Sequence, residues 1–380
     1  MTARNRTLAA LAKTAALGLT LTSAPLAHAD SANWNKTLAD FALGPFNLAV
    51  SQNTVYVADG FFGTVGVVGQ DPLVSGPDAA GAAGVDDSPN GKTIAWTWTV
   101  AVGGPPDGLA GLTVRTQGRP DVTTDLSAAE VALNPDGIHT YGVTDYGTSD
   151  KGCVDAVFGM MGPVTYEGHL DSHPYSVVRA GDRWVVADAG ANNLWSVSDA
   201  GVATNLAVLP PQPVTITAAM LPGLAAMFGA PVDALACLEG VTYAFEAVPT
   251  DVEVATDGTL WVSVLPGGPE GPALGARGAV YTVDPATGAS TRVAGGFLGA
   301  TNLAVAPDGT VYVTELFGGT ISKIDRRGTV STQAAFDRPL SIEVAGGHLY
   351  VGQMAAVEFG PDPTQPPTIT SPGSVVRLKR

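Results

Sequence analysis

The sequence predicts an all-β protein of the β-propeller class, and three observations lead there. An export signal opens the chain, a two-stranded unit recurs along it, and the last repeat stops one strand short while an unassigned strand waits at the front.

Arg4, Arg6 and Lys13, the apolar stretch 14–26 and Ala27-His28-Ala29 form a secretory leader with small residues where the peptidase needs them. Cleavage is expected after Ala29, with residues 30–380 forming a single domain that is secreted and extracellular. No Cys stands near the cleavage site, and no later run approaches the roughly 18 apolar residues of a membrane span. The chain has 380 residues, 45% hydrophobic and 14% charged, which suffices for a large core. Its 19 basic against 35 acidic residues remove nucleic acid and anionic membranes as partners, since both demand a basic face. Cys153 and Cys237 are the only thiols. In an oxidising compartment they are expected to pair, closing a loop of about 84 residues.

The repeat is clearest at Asn302-Leu303-Ala304-Val305-Ala306-Pro307-Asp308-Gly309-Thr310-Val311-Tyr312-Val313-Thr314-Glu315. Two alternating runs flank an Asp-Gly turn, where glycine accepts the positive φ of a tight hairpin. Residues 250–262 carry the same turn, and 129–145 share Pro-Asp-Gly. Residues 46–59, 175–188 and 340–353 fit with weaker turns, and 85–96 forms a seventh copy with two acids at apolar positions. Third runs follow at 63–68, 193–197, 278–283 and 319–324, and fourth runs at 202–208, 290–293 and 329–335. Four short strands every 40 to 50 residues or so is the pattern of propeller blades. Seven blades are expected, or six if the copy at Val85 is false. Residues 374–378 give the final repeat a third strand, and Lys36–Phe41 are expected to complete it and close the ring, which pairs otherwise open edges.

Gly-, Ala- and Pro-rich stretches at 75–84, 103–111, 266–276 and 358–372 read as loops. Residues 210–240 form an insertion with two helical turns, 217–221 and 224–228, separated by Pro222-Gly223 because proline interrupts a helix. They are expected to cap one face.

The segments 248–254 (Val-Pro-Thr-Asp-Val-Glu-Val), 265–270 (Leu-Pro-Gly-Gly-Pro-Glu) and 274–278 (Leu-Gly-Ala-Arg-Gly) resemble the secreted ScyD/ScyE family, as do 304–310 and 315–319. The similarity covers roughly 34–378, and 265–278 is its most specific part. The family takes its name from proteins linked to biosynthesis of the cyanobacterial sunscreen scytonemin. The resemblance implies an exported propeller and leaves the activity open. Residues 186–195 are also similar to the NHL repeat, a propeller motif common in binding proteins.

Counting six residues back from each turn Asp or its equivalent gives Asn47, Gly84, Glu130, Ser176, Asp251, Asn302 and Ser341 at the mouth of the innermost strands. Two readings stand side by side. These side chains hydrogen-bond strand ends and channel water, or Asn47, Glu130, Asp251 and Asn302 hold calcium, which takes hard oxygen donors. The second arrangement is similar in residue type to gluconolactonase and paraoxonase-type propellers. Asp59, Asp145, Asp188 and Glu315 end second strands, where acids fix the following turn by accepting backbone N–H groups. His169, Asp171 and His173 alternate along one side of an extended segment, as polar surface groups or as metal ligands. Trp96 and Trp98 share a strand face and are expected to pack between blades.

No Gly-x-Ser-x-Gly elbow, phosphate loop or dinucleotide fingerprint is present. The expected function is a ligand-binding or scaffold module, monomeric, whose partner is a small molecule or an extracellular protein. The alternative is a calcium-dependent hydrolase of lactones or related esters, with the metal polarising the carbonyl.

Overall fold

The fold is described from a computed structural model, which describes residues 36–41, 44–52, 54–101, 108–160, 162–358 and 368–380. The expected leader and its cleavage site lie outside them. The protein is all-β in its framework, with seven four-stranded antiparallel sheets among the described residues, and has a β-propeller fold.

Six of the sheets run in chain order. The first is built from Asn47–Ser51, Thr54–Asp59, Thr64–Val67 and Pro72–Ser75, and the second from Val85–Asp87, Thr93–Ala101, Leu109–Thr116 and Val122–Asp125. Pro174–Ala180, Arg183–Asp188, Asn193–Ser198 and Ala203–Val208 make the third. The fourth holds Pro249–Val254, Leu260–Val264, Gly278–Val283 and Ser290–Phe297, and the fifth Ala300–Val305, Val311–Glu315, Thr320–Ile324 and Val330–Ala335. In the sixth, Pro339–Ala345, His348–Gln353 and Gly373–Lys379 are joined by Lys36–Phe41, with Thr37 opposite Val376.

The Asp-Gly turns form as their chemistry requires. Gly309 takes φ 81° and donates to Ala306 O at 2.8 Å, while Asp308 Oδ1 accepts from Thr310 N at 3.0 Å. Alternation then sends one set of side chains from each sheet against its neighbour. Val177, Trp184 and Trp195 of the third sheet bury with Ala95, Leu112 and Val114 of the second. Val185 meets Val252, Val262 and Tyr281 across the next interface. Leu48, Val55 and Val57 of the first sheet bury with Val375 of the sixth. Trp96 and Trp98 pack between the first and second sheets, their indoles bonded to Asp78 O and Thr113 Oγ1.

The seventh sheet departs from the expected repeat. Its strands, in spatial order, are Thr165–Glu167, Thr140–Asp145, Thr242–Phe245 and Gln212–Thr215, so two precede the third sheet in the chain and two follow it. The second and third sheets pack directly on each other, which leaves no interval between them for another blade. The copy expected at 129–145 is therefore not a blade hairpin. Its first half is helix α1, Leu126–Leu133, capped by Asp125 Oδ1 on Ala128 N at 2.8 Å and ended by Asn134 at φ 37°. The Ala- and Leu-rich run favours helix over strand, and Asx-type capping fixes where it begins. The Val85 copy, by contrast, is the inner hairpin of the second sheet.

Helix α2, Lys151–Gly159, and α3, Leu221–Phe228, complete this inserted module. Pro222 does not divide two helical turns as expected. It sits in the first turn of α3, where its missing N–H has no intrahelical acceptor to lose. Cys153 on α2 is bonded to Cys237 in the turn Val232–Leu238, 84 residues away. The module has a core of its own, centred on Val157, Phe158, Leu221, Leu224, Leu238 and Phe245. It lies over the loops that follow the second strands of the third and fourth sheets. Asn192 donates to Asp136 Oδ2 at 2.9 Å, and Leu274 joins the module core.

Candidate functional site

Because the inner strands descend side by side, polar residues at equivalent positions meet on the axis of the sheets. There they form a belt that links each sheet to the next. Asn47 Oδ1 accepts from Val85 N of the second sheet at 3.1 Å, and Asp86 Oδ2 accepts from Arg179 N of the third at 2.6 Å. Ser176 Oγ accepts from Val252 N of the fourth, and Asp251 Oδ2 from Leu303 N of the fifth at 2.9 Å. Asn302 Oδ1 accepts from Ile342 N of the sixth at 2.8 Å. Ser341 Oγ then donates to Pro45 O, just before the first sheet, at 2.9 Å. Gly84 cannot supply the second link, since a Cβ there would stand 2.7 Å from Ser176 Cα; Asp86 does so two residues on.

The belt also crosses the axis. Asn47 Nδ2 lies 3.4 Å from Asp251 Oδ1, which accepts from Ser176 Oγ at 2.5 Å. Asp251 is buried, and burial pushes its pKa up to about 6 against these hydrogen bonds. One layer deeper, Glu253 and Glu343 hydrogen-bond to each other, which requires a proton on one of them. Burial raises both, Glu343 to about 8 and Glu253 well above the usual carboxylate range, with repulsion from Asp251 and Asp86 added. Burial also lifts Asp86 to about 7.

Asn47, Ser176, Asp251, Asn302 and Ser341 are thus brought together, and Glu130 is not among them. It sits on α1, buried, with Oε2 accepting from Ser172 N at 2.7 Å. The calcium set loses a member, and Asn47, Asp251 and Asn302 spend their oxygens on protein donors. These residues do not fit a calcium ion. Among the described residues no group of three or more His, Cys, Asp and Glu side chains is disposed to hold a metal.

The acids ending second strands fix turns. Asp59 Oδ1 accepts from Phe61 N and Phe62 N, and Asp145 Oδ1 from Gly147 N. Asp188 accepts from His173 N, Ala191 N, Ser172 Oγ and Trp195 Nε1. Glu315 bonds Leu298 N and Ser322 Oγ. His169, Asp171 and His173 do not converge. The His169 ring stacks on Tyr166 at 4.8 Å and His173 lies against Tyr175 at 4.6 Å, while burial and repulsion from Glu246, Glu130, Asp188 and Asp136 raise the Asp171 carboxyl.

A concavity among the described residues lies in the inserted module. A cavity of about 200 Å³ opens between α3, the strand Thr242–Phe245 and the loop carrying Gly267, Gly268 and Pro269. Phe158, Tyr243 and Phe245 line it as a run of rings with centroids 4.9 and 4.6 Å apart. Leu224, Phe228 and Leu238 close the apolar side, and Tyr166 and Glu246 give it a polar end. Tyr166 hydrogen-bonds Glu246, whose pKa burial raises. Sequence reasoning missed Tyr166, Tyr243 and Glu246. They belong to no repeat, and the pairings of 140–145 with 165–167 and with 242–245 bring them together.

A comparison with protein-family models finds no match, and neither does one with curated proteins. Among solved structures, the chain is similar to virginiamycin B lyase from Staphylococcus aureus, with 13% identity over 91% of this chain and 98% of that one and a TM-score of 0.46. It is similar to a putative oxidoreductase (glucose dehydrogenase) from Thermus thermophilus, with 15% identity over 90% and 99% and a TM-score of 0.46. It is also similar to the calcium-binding protein regucalcin from Agrobacterium tumefaciens, with 12% identity over 72% and 67% and a TM-score of 0.38. At these identities and scores the likeness assigns neither an activity nor a family.

Proposed function

We propose that the protein is an exported, monomeric β-propeller of six blades, closed by Lys36–Phe41, that binds a small molecule carrying an aromatic ring under its inserted module. The cavity beside α3 carries this reading. An apolar void of about 150 Å³ is known to accept benzene, so about 200 Å³ suits one ring and a short chain. The wall of aromatic rings offers edge and face contacts to such a guest. The loop 265–278, the most specific part of the ScyD/ScyE resemblance, supplies Gly267, Gly268, Pro269 and Leu274 to the lining.

Thermal melting with toluene, phenol and indole tests the reading, because a ligand of the folded state raises Tm with concentration. Tm is expected to rise, and Leu224→Trp, which fills the cavity, is expected to abolish the rise. No shift with any of the three overturns the proposal. Calcium is expected to leave Tm unchanged. A calcium-dependent rise that Asp251→Ala removes would instead favour the metal-dependent hydrolase.

A further inference from the structure

The charge of the ligand follows from the groups behind the cavity wall, given the reading of the cavity as a ligand site. Among the described residues, Glu246 is the one charged residue in the lining. Beyond it stand Asp136 and Asp171, whose carboxyls are raised by burial first and then by Glu246, and Asp171 also feels Glu130 and Asp188. Five carboxyl groups therefore share one region. Three of their buried oxygens, Glu130 Oε1, Asp136 Oδ1 and Asp171 Oδ1, have no hydrogen-bond partner among the described residues. Glu130 and Asp136 are 1% and 0% exposed, so solvent does not satisfy them either.

Among the described residues no ion pair reaches any of these five carboxyl groups. The ion pairs found there involve other acids. The guanidinium of Arg277 lies 4.7 Å from the centre of the Phe245 ring and donates to Gly267 O and Pro269 O. It forms no ion pair with any of the five, yet it shows that this aromatic wall already takes a cation. His139 and His173 have pKa values lowered by burial, which keeps them neutral, and His169 stacks on Tyr166.

We infer that the cavity takes a protonated aromatic amine, with its ring among Phe158, Tyr243 and Phe245 and its ammonium group at Glu246. Burying an ammonium group is costly unless it is paired, and here a carboxylate and aromatic faces meet it together. A neutral ligand of the same shape would gain the ring contacts alone.

Titration calorimetry with 2-phenylethylamine and with neutral 2-phenylethanol separates the two, at about pH 8, where an alkylamine keeps its proton. The unmodified protein is expected to bind the amine about tenfold more tightly, the scale of a partly desolvated ion pair with a cation–π contact. Glu246→Gln keeps an acceptor for Tyr166 and is expected to erase most of that preference. Equal affinities in the unmodified protein overturn the inference and leave the cavity reading standing, as does a preference that survives Glu246→Gln. Binding of neither compound removes the cavity reading, and this inference with it. If Glu246→Gln fails to fold, the comparison in the unmodified protein still decides.

Discussion

A carboxylate buried where the inner strands of several sheets meet must be satisfied by neighbours or give up its charge, and Asp251 and Glu343 take different routes. Asp251 collects donors from three other sheets, through Asn47, Ser176 and Leu303 N. Glu343 instead shares a proton with Glu253. Their folded pKa values are raised, so the folded state holds protons that the unfolded chain releases, and stability falls as pH rises. The fall should begin near the unfolded values, 3.8 for Asp and 4.5 for Glu, and end near the folded value of about 8 for Glu343. Tm is therefore expected to be higher at about pH 5 than at about pH 8. Glu343→Gln, which keeps the hydrogen bond and removes the titration, should flatten the profile; an unchanged profile would place the effect elsewhere. Five of the seven positions counted back from the turns join the belt, because a hairpin turn fixes the register of its strand and the count then names the inner residue. Glu130 defeated the same count because its segment is not a strand.

At the scale of elements, α1 shows why alternation alone misleads. Ala129-Glu130-Val131-Ala132-Leu133 satisfies both a period of two and a helical stripe, and Pro-Asp-Gly follows it as it follows true strands. The deciding signal is local. Asp125 caps the segment, and Pro135 after left-handed Asn134 starts a 3-10 turn in place of a hairpin. The module that results is held by Cys153–Cys237, which ties α2 to the turn carrying Leu238, and Phe158 and Leu238 both line the cavity. Replacing both cysteines with serine should cost about 2–4 kcal/mol in urea unfolding, given the length of the loop. It should also weaken binding of the aromatic ligand more than the loss of global stability explains, because the two walls are released from each other. Unaltered affinity would show that the module core alone fixes the cavity. Nothing in the chain's periodicity announces this partnership, since 140–145 and 242–245 lie about a hundred residues apart and match no repeat.

At the scale of the molecule, the first and last described strands lie in one sheet, with Lys36–Phe41 beside Gly373–Lys379. Removing residues 30–41 would bare the ladder from Gly373 to Arg377 as an open edge, a template for pairing with another chain. Such a variant should melt at lower temperature and associate with concentration, as light scattering would report. A monomer of undiminished Tm would show that the strand is dispensable. The pairing of Lys36–Phe41 with Gly373–Lys379 was legible in the sequence, because the last repeat lacks a fourth strand and a spare strand stands at the front. The split of the inserted sheet around the third sheet also carries an entropic cost. Pairing 140–145 with 242–245 closes a loop of about a hundred residues, and the Cys153–Cys237 bond, 84 residues apart, lies in the same module, so the crosslink offsets part of that cost in the unfolded chain.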